Sequence, residues 1–198
     1  MRAPRLNVAA SRAQALSQLR SLHTEVVKSF GEKKYCIAQQ VHGCSIAEVS
    51  VNSAACVPEV DGLITIDPKV LLGIYVADCC AIYLVDRRNR AIGLLHSGKK
   101  GTELHIAELA LIKMSALYST NPQDVVAQLS PCIRPPFYEV DFAAAIRGQL
   151  REAGVSEIHD CGENTGSDLQ KYYSYRIEKG KTGRMCALLS LNRFEVEQ

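Results

Sequence analysis

Short apolar runs fill the first half of the chain and predict a series of β-strands. These runs lie at Tyr35–Val41, Ser45–Val51, Leu63–Ile66, Leu71–Ala77, Ala81–Val85 and Ala91–Leu95. Turn sequences such as His42-Gly43 and Asp61-Gly62 separate them. Most connections are too short for a helix. Because a parallel pair needs a crossover of about a dozen residues or more, we expect a sheet that is mixed or largely antiparallel.

A helical period appears on both sides of this strand-rich region. The N-terminal helix is predicted over Ser11–Phe30, with Ser11 and Gln14 as a capping box. The later elements are predicted as helices at Thr102–Tyr118 and Phe142–Ala153 and strands at Val125–Leu129 and Met185–Leu191. This order predicts the α+β class, with one layered domain over residues 1–198 and a mixed sheet, and it disfavours a doubly wound dinucleotide fold.

Composition narrows the classes of function that are open to the chain. With 47% hydrophobic residues, 22% charged residues and a net charge of +2, it resembles an ordinary soluble globular protein. The Lys and Arg residues are scattered, so we expect no nucleic-acid partner. We also expect no membrane partner, since no apolar run approaches the roughly 18 residues of a membrane span. A secretory signal pattern is missing as well, which predicts a cytoplasmic protein. Its eight cysteines are then expected to be thiols.

Three residues share one setting in the predicted strand pattern. His42 follows one strand, Cys79 follows another, and His96 follows a third. Strand ends commonly gather functional side chains, and two imidazoles with one thiolate suit zinc while leaving a fourth position open. Taken alone, the pattern is weak, because a strand-end His is often structural and a Cys is often part of the core.

The turn after His96 has a second chemical feature. Gly93–Lys99 matches a phosphate-loop pattern up to its lysine, but Lys100 stands where the pattern needs Ser or Thr. We therefore do not expect a nucleoside triphosphatase. A glycine-rich turn that enters a helix, together with Lys99 and Lys100, still suits an anion.

Short motifs along most of the chain resemble the laccase-domain family, also called the multicopper polyphenol oxidase or purine nucleoside phosphorylase family. The first four are Gln40-Val41-His42-Gly43, Asp61-Gly62-Leu63-Ile64-Thr65, Ala77-Asp78-Cys79 and Leu95-His96-Ser97-Gly98. The later ones are Pro131-Cys132-Ile133, Tyr138-Glu139-Val140, Tyr173-Ser174-Tyr175-Arg176 and Thr182-Gly183-Arg184. They occur in the family's order over roughly residues 5 to 191.

The resemblance implies a single α/β/α layered domain with zinc held by His42, Cys79 and His96. It also implies phosphorolysis of adenosine, inosine or guanosine to the free base and ribose 1-phosphate, and it raises adenosine deamination as a second activity. The partners would then be a small-molecule nucleoside and phosphate; the oligomeric state stays open.

Cations beside the metal are expected for phosphorolysis. The candidates that bind substrate or phosphate are Lys99, Lys100, Tyr175 and Arg176. Asp78 is a candidate to orient a metal-bound histidine or to receive a proton, and it equally suits a turn-capping role.

The chain departs from the family pattern beside the proposed metal ligands. Where the family reads H-A-G-W-R-G, this chain reads His96-Ser97-Gly98-Lys99-Lys100-Gly101. The change removes a flat stacking surface and replaces a bidentate arginine with a lysine. Substrate range and phosphate affinity are therefore less firmly implied than the metal.

Three other functions stay open at this point. A copper polyphenol oxidase would use Cu²⁺ in the same site, although five histidines are too few for a multicopper centre. A metal-free cysteine hydrolase or deamidase would use Cys79 as nucleophile and His96 as base. A binding module without catalytic activity would keep the metal for stability alone.

Overall fold

The computed structural model describes residue 21 and residues 23–192. The strands are β1 Lys34–Ala38, β2 Ile46–Glu48, β3 Cys56–Val57, β4 Gly62–Thr65, β5 Val70–Val76, β6 Cys80–Asp86, β7 Ala91–Ser97, β8 Val125–Leu129, β9 Glu157–Asp160 and β10 Met185–Ser190. The helices are α1 Thr24–Lys28, α2 Lys99–Glu103, α3 Ile106–Tyr118 and α4 Phe142–Glu152. Among the helices of these residues, none is both long and apolar enough to cross a membrane.

The strands form two mixed sheets, which confirms the predicted mixed fold class. One sheet has the order β10-β5-β1-β3, and the other has the order β2-β4-β7-β6-β8-β9. The sequence pattern led us to expect a single central sheet. The chain instead alternates between the sheets from β1 to β6. A strand of one sheet therefore supplies the crossover for a parallel pair in the other, such as β1 with β3, and no helix is needed.

Two hydrophobic cores lie on opposite faces of the six-stranded sheet. Ile92 and Leu94 of β7 pack in the core shared with the four-stranded sheet. Leu95 of the same strand packs in the core shared with α3 and α4. Successive side chains of a strand point to opposite faces, so a sheet covered on both sides requires the uninterrupted apolar runs that the sequence has.

Several predicted elements differ in extent from the structure. The helix predicted over Thr102–Tyr118 is two helices, because His105 adopts a left-handed backbone (φ 57°) between α2 and α3. Of the helix predicted over Ser11–Phe30, residues 11–20 and 22 lie outside the described residues, and α1 is its described helical part. The strands β3 and β9 were missed. The pattern for β9 is weak because none of its residues is fully buried and His159 is exposed.

Candidate metal centre

The side chains of His42, Cys79 and His96 converge at one point. Each offers one ligand atom, and these atoms all lie within 4.8 Å of one another. The two imidazole rings meet edge to face, with centroids 4.8 Å apart and an interplanar angle of 82°. Two nitrogens and one sulfur at this spacing can hold a metal ion and leave a fourth tetrahedral position free.

Connections between the two sheets bring these residues together. His42 lies in the turn after β1, and Cys79 lies between β5 of one sheet and β6 of the other. His96 lies inside β7, because this strand continues to Ser97, two residues beyond its predicted end. His42 is exposed, Cys79 is half-buried and His96 is buried. The cluster is therefore open on the side of His42.

Asp61 contacts both histidine segments and was not among the predicted site residues. Its buried carboxylate accepts hydrogen bonds from the backbone N–H groups of Val41, His42 and Gly43 at 3.0, 2.9 and 2.7 Å. The same carboxylate lies 2.8 Å from Nδ1 of His96. The sequence indicates only a turn and a family motif at Asp61-Gly62, because spacing along the chain does not show that this acid is buried beside a candidate ligand.

The turn that carries His42 is also held by Gln40. The side-chain amide of Gln40 donates to the carbonyl of Tyr75 at 2.6 Å and accepts from its N–H at 2.8 Å. This pairing continues the contact between β1 and β5 beyond the end of β1. Gln40 and His42 both have left-handed backbones, with φ of 59° and 61°, so the turn depends on these contacts.

Cys79 lies in an environment that favours its ionised form. Burial raises the pKa of the thiol, but hydrogen bonds and charge from His42 and His96 outweigh burial and lower the pKa to about 6. Burial also lowers the pKa of His96, but Asp61 and Cys79 outweigh this effect and raise the pKa to about 9. A thiolate beside imidazoles is the donor set of a soft or borderline metal, which binds as the site releases protons.

Asp78 joins the Cys79 turn to three other segments. Its carboxylate accepts hydrogen bonds from the Thr165 hydroxyl and the Arg176 backbone N–H, both at 2.7 Å. Its carbonyl accepts from the N–H of Ile133 at 2.9 Å. Asp78 therefore links the Cys79 turn to the segments of Ile133, Thr165 and Arg176 through hydrogen bonds. The contact that orients a cluster histidine is made by Asp61 instead.

The predicted substrate-binding residues lie on segments that border the cluster. Lys99 and Lys100 are exposed and begin α2 directly after Gly98. Tyr175 is 56% exposed, and its ring lies under the guanidinium of Arg184 at 5.6 Å. The guanidinium of Arg176 is paired with Glu139 at 3.1 Å and lies 5.3 Å from the centroid of the Tyr138 ring. The Tyr175–Arg176 segment is bound to Asp78, the neighbour of Cys79.

Comparisons with known proteins agree with this architecture. The sequence model of the family described as multi-copper polyphenol oxidoreductase laccase matches residues 4–144 and 138–192. A purine nucleoside phosphorylase of Deinococcus radiodurans is 32% identical over 193 residues, which cover 84% of this chain and 74% of that protein. The purine nucleoside phosphorylase YlmD of Geobacillus stearothermophilus is 29% identical over 201 residues, covering 81% of this chain and 73% of its own.

The fold is also similar to a solved structure. The crystal structure of YlmD from Geobacillus stearothermophilus superposes with a TM-score of 0.82 at 28% identity, and the match covers 95% of this chain and 84% of that chain.

Proposed function

Because this chain belongs to the multi-copper polyphenol oxidoreductase laccase family, we propose that it is a zinc-dependent purine nucleoside phosphorylase. The enzyme would transfer the ribose of adenosine, inosine or guanosine from the base to inorganic phosphate. The observation that carries the proposal is the convergence of ligand atoms from His42, Cys79 and His96. The names of the two relatives described above, from Deinococcus radiodurans and Geobacillus stearothermophilus, support the choice of reaction.

Zinc is the metal that suits this donor set best. Catalytic zinc sites commonly take three protein ligands of the His and Cys type and keep the fourth position open. A multicopper centre needs many more imidazoles, and the whole chain has five histidines. Copper binding at the same three residues remains the alternative that the donor set also permits. When bound, zinc would supply Lewis acidity at the open position.

We assign the substrate to the segments that border the cluster. Phosphate needs cations, and Lys99 and Lys100 begin α2 beside Cys79. The nucleoside needs an aromatic surface and a hydrogen-bond donor, and Tyr175 and Arg176 lie on the segment bound to Asp78. Since lysine binds phosphate as a point charge and not through a planar fork, we expect phosphate to bind weakly, with a KM above that of family members with arginine at this position.

Adenosine deamination is a second activity that the same site would support. In deamination, water would form a bond to C6 of the purine and the 6-amino group would leave as ammonia, giving inosine, whereas phosphate in phosphorolysis attacks the ribose. A metal bound at the site would favour the ionised form of that water near neutral pH. Ammonia release from adenosine without added phosphate would demonstrate this activity. Base release that requires phosphate would demonstrate phosphorolysis.

A metal-free cysteine hydrolase or deamidase is the second candidate function, and one contact favours it. The chain Cys79–His96–Asp61 has the order of nucleophile, base and orienting acid. The two candidates differ in the reactivity of the thiol. Zinc bound to Cys79 would shield it from iodoacetamide, whereas a catalytic thiolate would be alkylated and lose activity.

The decisive experiment measures metal content and turnover together. We expect about one zinc per chain by elemental analysis and phosphate-dependent release of hypoxanthine from inosine. Cys79→Ser and His42→Ala should each lower turnover by at least about 100-fold, because loss of a ligand should cost more than loss of an outer partner of a ligand, which costs about 10- to 100-fold. Cys161→Ser is the matched control, since Cys161 is an exposed thiol outside the cluster. Undiminished phosphorolysis by metal-free Cys79→Ser would refute the proposal.

A further inference from the structure

We propose that Asp61 is the positioning residue of the metal centre and that its single carboxylate prepares both histidine ligands. This inference rests on the proposed zinc-dependent function. Asp61 is fully buried, so its carboxylate does not reach substrate from solvent. It acts through the residues that it contacts.

The first part of the evidence is the turn that carries His42. Three consecutive backbone N–H groups, from Val41 to Gly43, point at the two carboxylate oxygens of Asp61. Successive N–H groups in such a turn form a concave site for an anion. A negative side chain therefore fixes the path of the backbone at His42, which is otherwise exposed and at the surface.

The second part is the ring of His96. Because Asp61 can only accept hydrogen bonds when ionised, its contact with Nδ1 places the ring proton on that nitrogen. In the neutral imidazole, which is the form that binds a metal, Nε2 then carries no proton and can act as the ligand atom. The backbone N–H of His96 also donates to the carbonyl of Asp61 at 2.7 Å, so both the ring and the strand of His96 are set by one residue.

The two parts together make Asp61 a shared support. A carboxylate that orients a metal-bound histidine is a common device. Here the same carboxylate also holds the loop of the second histidine, so a change at Asp61 should affect two of the three ligands at once.

Asp61→Asn is the sharpest variant, because it keeps the size of the side chain. The amide puts N–H groups where an acceptor is needed, either towards the turn or towards Nδ1 of His96. We expect zinc affinity, measured by competition with a chelator, to fall about 10- to 100-fold, the range for lost outer partners of metal ligands. In ¹⁵N spectra of the zinc-loaded protein, the wild type should show His96 protonated at Nδ1, and the variant should lose this signature.

Asp86→Asn is the matched control. Asp86 is also fully buried and its carboxylate also accepts two backbone N–H groups in a turn, those of Arg88 and Asn89. This turn lies at the opposite end of β7 from His96. Its variant should lose stability without losing zinc affinity, which separates positioning from general loss of a buried carboxylate.

The outcomes distinguish the two proposals. Equal zinc affinity and equal His96 spectra in the wild type and Asp61→Asn would overturn the role of Asp61 alone. A wild-type protein that binds no zinc would overturn the zinc-dependent function together with it. If Asp61→Asn does not fold, the wild-type spectrum decides: a proton on Nδ1 of His96 supports the inference, and a proton on Nε2 overturns it.

Discussion

Gly98 lies directly against the thiol of Cys79, and a Cβ atom at Gly98 would be 2.6 Å from Sγ. The backbone of Gly98 is extended, with φ −101° and ψ −163°, a conformation open to any residue. Space, and not backbone freedom, therefore requires glycine here. The backbone at Gly98, where α2 begins, packs against Sγ of Cys79 and limits where the thiol can lie.

Gly98→Ala should consequently displace the thiol and weaken the metal site. We expect zinc affinity to fall by at least about 10-fold, which is the effect of moving a ligand group from its proper geometry. Gly148→Ala is the control, since a methyl group there meets no atom within 4 Å and alanine favours the interior of α4 by about 1 kcal/mol. Competition with a chelator and thermal unfolding measure both effects. Unchanged zinc affinity in Gly98→Ala would show that the contact with Gly98 does not position the Cys79 thiol.

Asp78→Asn should affect substrate binding more than metal binding. The amide cannot accept hydrogen bonds with both terminal atoms, so the Thr165 hydroxyl or the Arg176 N–H loses its partner. The Tyr175–Arg176 segment would then loosen, and we expect the KM for inosine to rise about 10-fold or more while zinc content stays at the wild-type level. One lost hydrogen bond to a charged acceptor corresponds to about 1.5–3 kcal/mol.

Steady-state kinetics of Asp78→Asn measure the KM for inosine, and elemental analysis measures its zinc content. Asp168→Asn serves as a control, because Asp168 is exposed and caps a neighbouring turn. Loss of zinc with an unchanged KM for inosine would instead indicate that Asp78 positions the metal ligands, the role proposed for Asp61.

The strands and the clustering of three residues at strand ends could be predicted from the sequence for a physical reason. A sheet covered on both faces needs continuous apolar runs, and these runs placed β1, β5 and β7 within a few residues of their true bounds. Once the strands are in place, His42, Cys79 and His96 stand near their ends. The short motifs around these residues then connected them to one family. The single-domain organisation over residues 1–198 stays a prediction.

The contacts that support the ligands could not be predicted in this way. Asp61 precedes a strand like any turn residue, and its contact with His96 arises only when β4 pairs with β7. Its three hydrogen bonds with the turn at Val41–Gly43 likewise join segments that lie 18 to 20 residues apart in the chain. The division into two sheets was missed because periodicity shows which faces are buried but not which strand lies alongside which. The break at His105 was missed because a left-handed residue other than glycine leaves no mark on an apolar pattern.

Removal of the metal should leave the fold intact. Asp61 holds the His42 turn and the His96 ring, and Gln40 anchors the same turn to Tyr75, all through the protein's own hydrogen bonds. We expect chelation to abolish activity while the circular dichroism spectrum persists. The melting temperature should fall, since zinc at 1,000 times its Kd stabilises the native state by about 4 kcal/mol. Recovery of activity with added zinc is the control. Unfolding on chelation would indicate a structural metal and favour a binding module without catalysis.

Low pH should reduce the stability of the folded protein partly through Asp160, whose carboxylate is ion-paired with Arg134 and Arg147. Burial raises the pKa of this carboxyl, but the hydrogen bond from Arg134, the N–H of Gly162 and the charges of Arg134 and Arg147 outweigh burial and lower the pKa below its ordinary value. A pKa lowered by folding contributes stability above the pKa of the unfolded chain, about 4 for Asp. That stability is lost as the pH falls through the lower pKa of the folded protein.

Asp160→Asn should therefore be less stable than the wild type at pH 7, by about 3 kcal/mol for a broken buried ion pair. The difference should shrink as the pH falls below about 4, because the unfolded wild-type chain then binds a proton that the folded protein does not. The decline should end once the pH lies below the lowered pKa of the folded carboxyl. Urea unfolding at a series of pH values measures this, with Asp168→Asn as an exposed carboxylate for comparison. If the difference in unfolding free energy stays constant from pH 7 to acid pH, the effect comes from altered packing at residue 160. The ionic interaction between Asp160 and Arg134 would then not account for it.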